Sequence, residues 1–424
     1  MGSYCALYIS NYEIVSRKTT IDPSILLLFQ PSDLRTNKGF QFINIAKNIK
    51  HRLNIIGITL DFSKQMFNTQ KNTKIKKLKE LYTDDPYLST KEEIDLLEGT
   101  TFDLFLKASK IIIKNNYFFY DNIPKNIPDL SLIKYIITFD TQFNSFFYDH
   151  KSLLRAFLEV VDPEDSIKYD ITELIENEYY SQENIYEQVI EENNLYDFKI
   201  GEKIIILPEG STDTYFLRES LDILYPHLKE YYSFMDFKKS CTKGGCTSIV
   251  EIIKAFIGAG IRNPIIALFD NDTVGTSAIK NLKESLTKIP DNIKIKQYPH
   301  LKIAEDYPTI TKNSNIIKKM DINGRATTIE IYLSKDNLSD NGELFPIQWG
   351  KTSGQGKIVC KKKIKNKFTQ QIKNCKKAPI SIKQYDWTGL EAIFEMIFKE
   401  FSENTPNQNK IIKILDYYSK YNWE

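Results

Sequence analysis

No apolar run in this chain approaches the roughly 18 residues of a membrane-spanning helix. The longest runs are short, such as Ser24 to Phe29 (SILLLF), and the N-terminus lacks a basic-then-apolar leader pattern. Membrane insertion and secretion are not expected, and a cytoplasmic location is. Cysteine is scarce: five residues, an odd number, are scattered at positions 5, 241, 246, 360 and 375. That spacing excludes the dense disulfide framework of a small secreted domain and fits a reducing compartment. Cys241 and Cys246 have no second closely spaced pair, which excludes a zinc ribbon, and both read as buried thiols. Histidine is limited to His51, His150, His227 and His300. The formal net charge of +2 removes any global basic field, so an argument for nucleic acid has to come from local charge.

What is present is ordinary globular composition, 42% hydrophobic and 26% charged over 424 residues, which suggests about three domains. The charge is unevenly placed. Glu159 to Asp197 holds thirteen acids against one lysine, whereas Lys351 to Lys383 holds eleven lysines and no acid. The opening Tyr4 to Val15 alternates apolar and polar residues and reads as one or two strands around a Ser-Asn turn. Leu53 to Phe62 reads as a strand or a buried helix segment. Phe102 to Lys114 and Lys151 to Val161 have helical spacing, and Ile171 to Glu192 is a long acidic segment, helical or loosely ordered. Residues 1–198 are expected to form an α+β accessory domain.

Beyond Gly201 strands alternate with helices. Lys203 to Leu207 is a near-continuous apolar run, followed by Pro-Glu-Gly and a helix capped by Ser211 or Thr212. Tyr232 to Phe237, Pro264 to Phe269, Lys294 to Tyr298 and Thr328 to Leu333 supply further strands, with helices over Cys246 to Ala259 and Gly275 to Leu286. Such repeats require right-handed crossovers and a mostly parallel sheet with helices on both faces, expected over 199–345. Residues 346–424 form a Lys-rich extension ending in helices over Trp387 to Phe401 and Lys410 to Tyr421.

Acids stand where the carboxyl ends of the strands fall: Glu209 after the first, Asp270 and Asp272 after Pro264 to Phe269, and Glu330 in the later strand. Open parallel sheets place functional sites at that edge. Asp270 and Asp272, one residue apart on an extended tip, point to the same side, where hard oxygen ligands suit a divalent cation. Glu209, Asp213 and Glu330 would complete a two-ion site for phosphodiester cleavage. Gly350-Lys351-Thr352 does not make a phosphate loop, because Phe345 stands where the first glycine is required.

These segments resemble a known domain. Glu209-Gly210-Ser211-Thr212-Asp213 after its strand, with Leu268-Phe269-Asp270-Asn271-Asp272, is similar to the Glu and Asp-x-Asp signatures of the Toprim domain of topoisomerases, bacterial primases and OLD-family nucleases. The blocks Met1 to Cys5, Gly244-Gly245-Cys246, Asp321 to Ala326 and Ile329 to Leu333 resemble bacterial HEPN/Toprim-associated proteins, a family linked to phage defence. The resemblance implies an α/β Toprim (Rossmann-like) fold preceded by the accessory domain, and a Mg²⁺- or Mn²⁺-dependent nuclease of antiphage defence holding two ions. Glu209, Asp213, Asp270, Asp272 and Glu330 would be its catalytic and metal-binding acids. Arg325, Lys351, Lys357 and Lys363 fall where cations would neutralise substrate phosphates. HEPN ribonuclease chemistry is excluded, because no histidine follows an arginine by four to six positions.

The expected substrate is DNA or RNA. An ATPase or sensor protein is the expected partner, since the chain has no nucleotide-triphosphate signature of its own, and self-association stays open. The competing expectation is a binding module, a Toprim fold that holds nucleic acid or a partner without cutting.

Overall fold

The computed structural model describes residues 2–84, 91–118, 123–139, 143–186, 188–189, 203–311, 314–350, 355–402 and 412. The chain divides into two compact units, Met1–Gly201 with Phe401–Glu424, and Glu202–Glu400. Among the described residues no helix is long and apolar enough to cross a membrane.

The first unit is built on an antiparallel sheet. Strands β1 (Tyr4–Ile9) and β2 (Tyr12–Lys18) form the expected hairpin, with Ser10 at φ 51° in its turn. Strands β3 (Leu34–Arg35), β4 (Gln41–Ile45) and β5 (Ser166–Asp170) complete the order β2-β1-β5-β4-β3. Helix α1 (Pro23–Leu26) follows β2. Between β4 and β5 run α2 (Ala46–Ile55), α3 (Leu60–Asp84), α4 (Lys91–Gly99), α5 (Phe102–Asn115), α6 (Leu130–Phe139) and α7 (His150–Phe157). Leu53 to Phe62, read as strand or helix, is divided between the end of α2 and the start of α3. Phe67, Phe102, Phe105, Phe146 and Phe157 stack and cross edge-on at the centre of the helical core. The acidic stretch from Ile171 contains the short helix α8 (Thr172–Glu176), a 3-10 turn at Gln182–Asn184 and helical residues at 185–186 and 188–189 before the described residues break off.

The second unit contains the parallel sheet. Its strands β6 (Ile204–Leu207), β7 (Tyr232–Phe234), β8 (Ile265–Phe269) and β10 (Ile293–Gln297) lie in the order β10-β8-β6-β7, all parallel, and β9 (Asn271–Asp272) follows β8 directly. Helices α9 (Ser211–Leu224), α10 (Cys246–Gly258) and α11 (Thr273–Ser285) make the crossovers that parallel pairing demands. Leu207, Ile265, Ala267 and Phe269 join Ile249, Ile253 and Leu282 of α10 and α11 in one core. The opposite-facing Ile206, Ile266 and Leu268 are equally buried, so both faces are covered. This is the layered architecture expected of a Toprim-like unit.

The remaining elements follow in sequence within the same unit. Strands β11 (Tyr307–Thr311) and β12 (Ser314–Met320) form a hairpin, β13 (Ala326–Thr327) pairs with β9, and α12 (Lys335–Leu338) precedes the hairpin β14 (Ser339–Asp340) and β15 (Glu343–Leu344). β16 (Ile347–Trp349) and β17 (Gly356–Ile358) extend β11 into a second sheet. Helix α13 (Lys361–Lys377) sets Phe368 edge-on against Phe216 of α9, and α14 (Thr388–Lys399) sets Phe394 against Tyr225. The Lys-rich segment up to Glu400 thus belongs to the second compact unit. The helix expected over 410–421 lies outside the described residues, Ile412 apart.

One expected strand is absent. Thr328 to Leu333 is a 3-10 turn over Ile329–Tyr332, and all four of its residues are buried, so no alternating face exists. Its i to i+3 bonds, such as Ile331 N–H to Thr328 O, replace the ladder.

Candidate functional site

From β6 the chain moves to β7 on one side, then returns to β8 on the other. The sheet order therefore reverses between β6 and β8, and a crevice at their carboxyl ends is the expected ligand position. Glu209 and Asp270 follow those two strand ends. They are joined directly: the Asp270 backbone N–H donates to Glu209 Oε1 at 2.9 Å, and the Cys246 thiol donates to the same oxygen at 3.0 Å.

Two glycine positions make this junction fit. Gly245 N–H donates to the Glu209 carbonyl at 2.6 Å, and a Cβ on Gly244 would stand 2.7 Å from that carbonyl oxygen. A Cβ on Gly275 would stand 2.3 Å from the Asp270 carbonyl oxygen, so the first turn of α11 can press against the acid's backbone only as glycine. From the end of β10, Gln297 Nε2 donates to the same Asp270 carbonyl at 3.0 Å.

The crevice is a pocket of about 420 Å³. Glu209, Asp213, Asp270 and Glu330 line it together with Gly244, Gly245, Lys238, Lys361 and Lys365. Asp213 comes from the first turn of α9. Asp272 caps α11, its Oδ1 accepting the Gly275 N–H at 2.7 Å.

Crowding raises the proton affinity of this set. Burial pushes the Glu209 carboxyl up against the opposing pull of its Cys246 and Asp270 hydrogen bonds. Burial, then the neighbouring Glu330 carboxylate, raises Asp213 to about 7. Asp270 is held well above the carboxylate range by burial and then by Asp213, Glu209, Asp272 and Glu330. Asp272 is raised by burial, partly offset by the N–H groups it caps. Lys361 responds the other way: burial disfavours its charge, but Glu330, Asp270 and Asp213 outweigh that and raise it.

A divalent cation suits this donor set, which is entirely hard carboxylate oxygen. Asp270 Oδ1 is buried with no hydrogen-bond partner among the described residues, a lone pair aimed at nothing the protein provides. In the present arrangement no three acid, histidine or cysteine side chains among the described residues converge at metal-ligand spacing.

Residues 1–193 match the family described as HEPN/Toprim N-terminal domain 1. The chain carries a HEPN/Toprim-associated N-terminal domain. That domain ties it to nucleic-acid-related proteins, and the α/β unit downstream has the layered sheet the Toprim resemblance implied. Comparison with curated proteins and with solved structures gives no match.

Within the Toprim-like unit the structure brings Glu209, Asp213, Asp270 and Glu330 to one pocket and sets Asp272 at its flank. The cations singled out from sequence lie elsewhere. Arg325 is exposed in the loop before β13, Lys357 is exposed on β17, and Lys363 pairs with Asp340 at 2.5 Å. None of the three lines the pocket. Lys351 lies outside the described residues. The pocket's lysines are Lys361 and Lys365, one turn apart on α13, together with Lys238. Cys246 is buried as expected, whereas Cys241 is exposed at φ 54°.

Proposed function

We propose that this chain is a metal-dependent nuclease that cleaves phosphodiester bonds, and that it serves in bacterial antiphage defence. The observation that supports the reading is the direct coupling of Glu209 to Asp270 at the sheet's switch point, in a pocket lined by both carboxylates and lysines. Glu209, Asp213 and Asp270, with Asp272 beside them, would hold Mg²⁺ or Mn²⁺. A bound ion of this kind supplies activation of water and stabilisation of the leaving oxygen.

The protein's own groups do the rest. Glu209 is fixed through one oxygen by Cys246 and Asp270, which leaves the other free toward the pocket. In the metal-free pocket burial and the Glu330 carboxylate raise Asp213 to about 7, so a cation held there would displace its proton near neutrality. Lys361 and Lys365 offset the charge that develops on the phosphate. The open crevice suits a polymer backbone, which contacts lysines through phosphate rather than base. The defence role rests on the resemblance of the sequence blocks to HEPN/Toprim-associated proteins.

The test is incubation of the purified chain with plasmid DNA and total transfer RNA in Mg²⁺ or Mn²⁺. Asp270→Asn and a chelator serve as controls. Cutting that requires both the metal and Asp270 is the expected result and names the substrate class. Equal cutting by the Asp270→Asn variant would refute the assignment.

A second reading, a Toprim-like module that binds nucleic acid without cutting, draws on one observation: Lys361 already sets a cation among the pocket's acids, paired with Glu330 and held charged by Asp270 and Asp213 as well. Titration calorimetry separates the two, because the binding module takes up oligonucleotide but no Mn²⁺.

A further inference from the structure

Glu330 differs from the other acids of the pocket. It comes from a 3-10 turn rather than a strand end, and its side chain is fully buried, with 0% exposure. One of its oxygens is hydrogen-bonded, and the other, which has no hydrogen-bond partner among the described residues, is met by ion pairs. Thr328 Oγ1 donates to Oε2 at 2.5 Å, while Oε1 faces Lys361 Nζ at 3.0 Å and Lys365 Nζ at 3.5 Å. Asp270 Oδ1 is likewise buried without a hydrogen-bond partner, but no ammonium group among the described residues stands within ion-pair distance of it.

The two lysines stand four residues apart on α13, so their ammonium groups lie on one face and meet a single carboxylate. A fully desolvated carboxylate is tolerated only when paired, which makes Glu330 dependent on them. Two ammonium groups exceed one carboxylate by a charge, and both lysines line the pocket. Lys365 is further fixed by donating to Thr212 Oγ1 at 3.0 Å, one residue before Asp213. A flexible lysine is an imprecise phosphate contact, and a buried anchor supplies the orientation it lacks.

We infer that Glu330 is a positioning residue, which holds Lys361 and Lys365 over the pocket to receive the substrate phosphate, and is not a ligand of the metal. The inference deepens the nuclease reading and rests on it for the identity of the substrate.

The experiment compares four variants of the full chain with the wild type: Glu330→Gln, Lys361→Met/Lys365→Met, the triple combination, and Asp270→Asn. Three quantities are measured: melting in EDTA, Mn²⁺ binding by electron paramagnetic resonance, and binding of a fluorescent single-stranded oligonucleotide in EDTA as a function of salt. The paired lysine variant should melt lower, because it leaves a buried carboxylate bare, and adding Glu330→Gln should restore most of that loss. Glu330→Gln alone should keep Mn²⁺ affinity within about twofold, where Asp270→Asn loses about tenfold or more. It should also weaken the oligonucleotide several-fold, and the paired lysine variant should flatten the salt dependence by about two phosphate contacts.

Loss of Mn²⁺ in Glu330→Gln equal to that in Asp270→Asn would overturn the inference. So would a higher melting temperature for Glu330→Gln, the sign of relieved repulsion among metal ligands. If the wild type takes up no Mn²⁺, the nuclease reading fails, while the melting cycle and the oligonucleotide binding still decide the role of Glu330.

Discussion

Replacing Asp213 by Asn should stabilise the metal-free protein at and above neutral pH. Asp213 sits in the first turn of α9, where a helix dipole favours a carboxylate, yet burial and the Glu330 carboxylate raise it to about 7. The folded state thus holds this proton more tightly than the unfolded chain. Its contribution to stability is complete below the ordinary value of 3.8 and is lost as pH rises through about 7. The distance between those two values corresponds to ~4 kcal/mol at most. The side chain faces an open pocket, and discounting by half for solvent screening leaves ~2 kcal/mol. In a unit of roughly 200 residues that is about 4–8 °C of melting temperature. Thermal denaturation in EDTA, followed by circular dichroism from pH 5 to 8.5, reads the difference. The variant's advantage should be small at pH 5 and full at pH 8, and Mn²⁺ should narrow it by stabilising the wild type alone. An Asp213→Asn variant that melts at or below wild type at pH 8, or an advantage that does not change with pH, would refute the reasoning.

Three other substitutions probe the supports of the two units. Gly275→Ala forces a Cβ into the Asp270 carbonyl, and should lower both the melting temperature and any metal-dependent cutting, whereas Gly258→Ala, which meets nothing, should change neither. Cys246→Ala removes a donor from Glu209 and should cost about 1 kcal/mol of Mn²⁺ binding, measured by calorimetry; Cys246→Ser should recover it, and equal behaviour of the two would remove Cys246 from the site. In the first unit, Asp33→Ala strips a buried partner from Arg52, which is 0% exposed and pairs with it at 2.7 Å. Chemical denaturation should show a loss of about 3–5 kcal/mol, and a loss under about 1 kcal/mol would count against the pair.

The two central parallel strands of the second unit, β6 and β8, were legible because each is a short, continuous apolar run that ends in turn residues. Glu209 and Asp270 could therefore be placed at a sheet edge before any coordinates. The 3-10 turn at Ile329–Tyr332 was not legible. Thr328, Glu330 and Tyr332 alternate like a strand, and only tertiary burial on every side distinguishes the two. The lysines were hidden for a different reason. Within a run of eleven, only the four-residue spacing of Lys361 and Lys365 on one helix face separates them from Lys363, which turns to Asp340. The antiparallel sheet of the first unit pairs β4 and β1 with β5, whose residues lie more than a hundred positions further on. No local pattern carries that information, and β4 and β5 escaped notice.

Two of the pocket's three lysines are made after all of its acids. Glu209, Asp213, Asp270 and Asp272, and every strand of the parallel sheet, precede residue 300, whereas Lys361 and Lys365 follow about sixty residues later. A ribosome adding roughly 5–20 residues per second leaves an interval of several seconds in which the sheet's chain exists with Lys238 alone of the pocket's lysines. Docking of α13 is then the step that brings Lys361 and Lys365 to the pocket. A product of interrupted translation that ends before it would carry the acids in full and, of the pocket's three lysines, only Lys238.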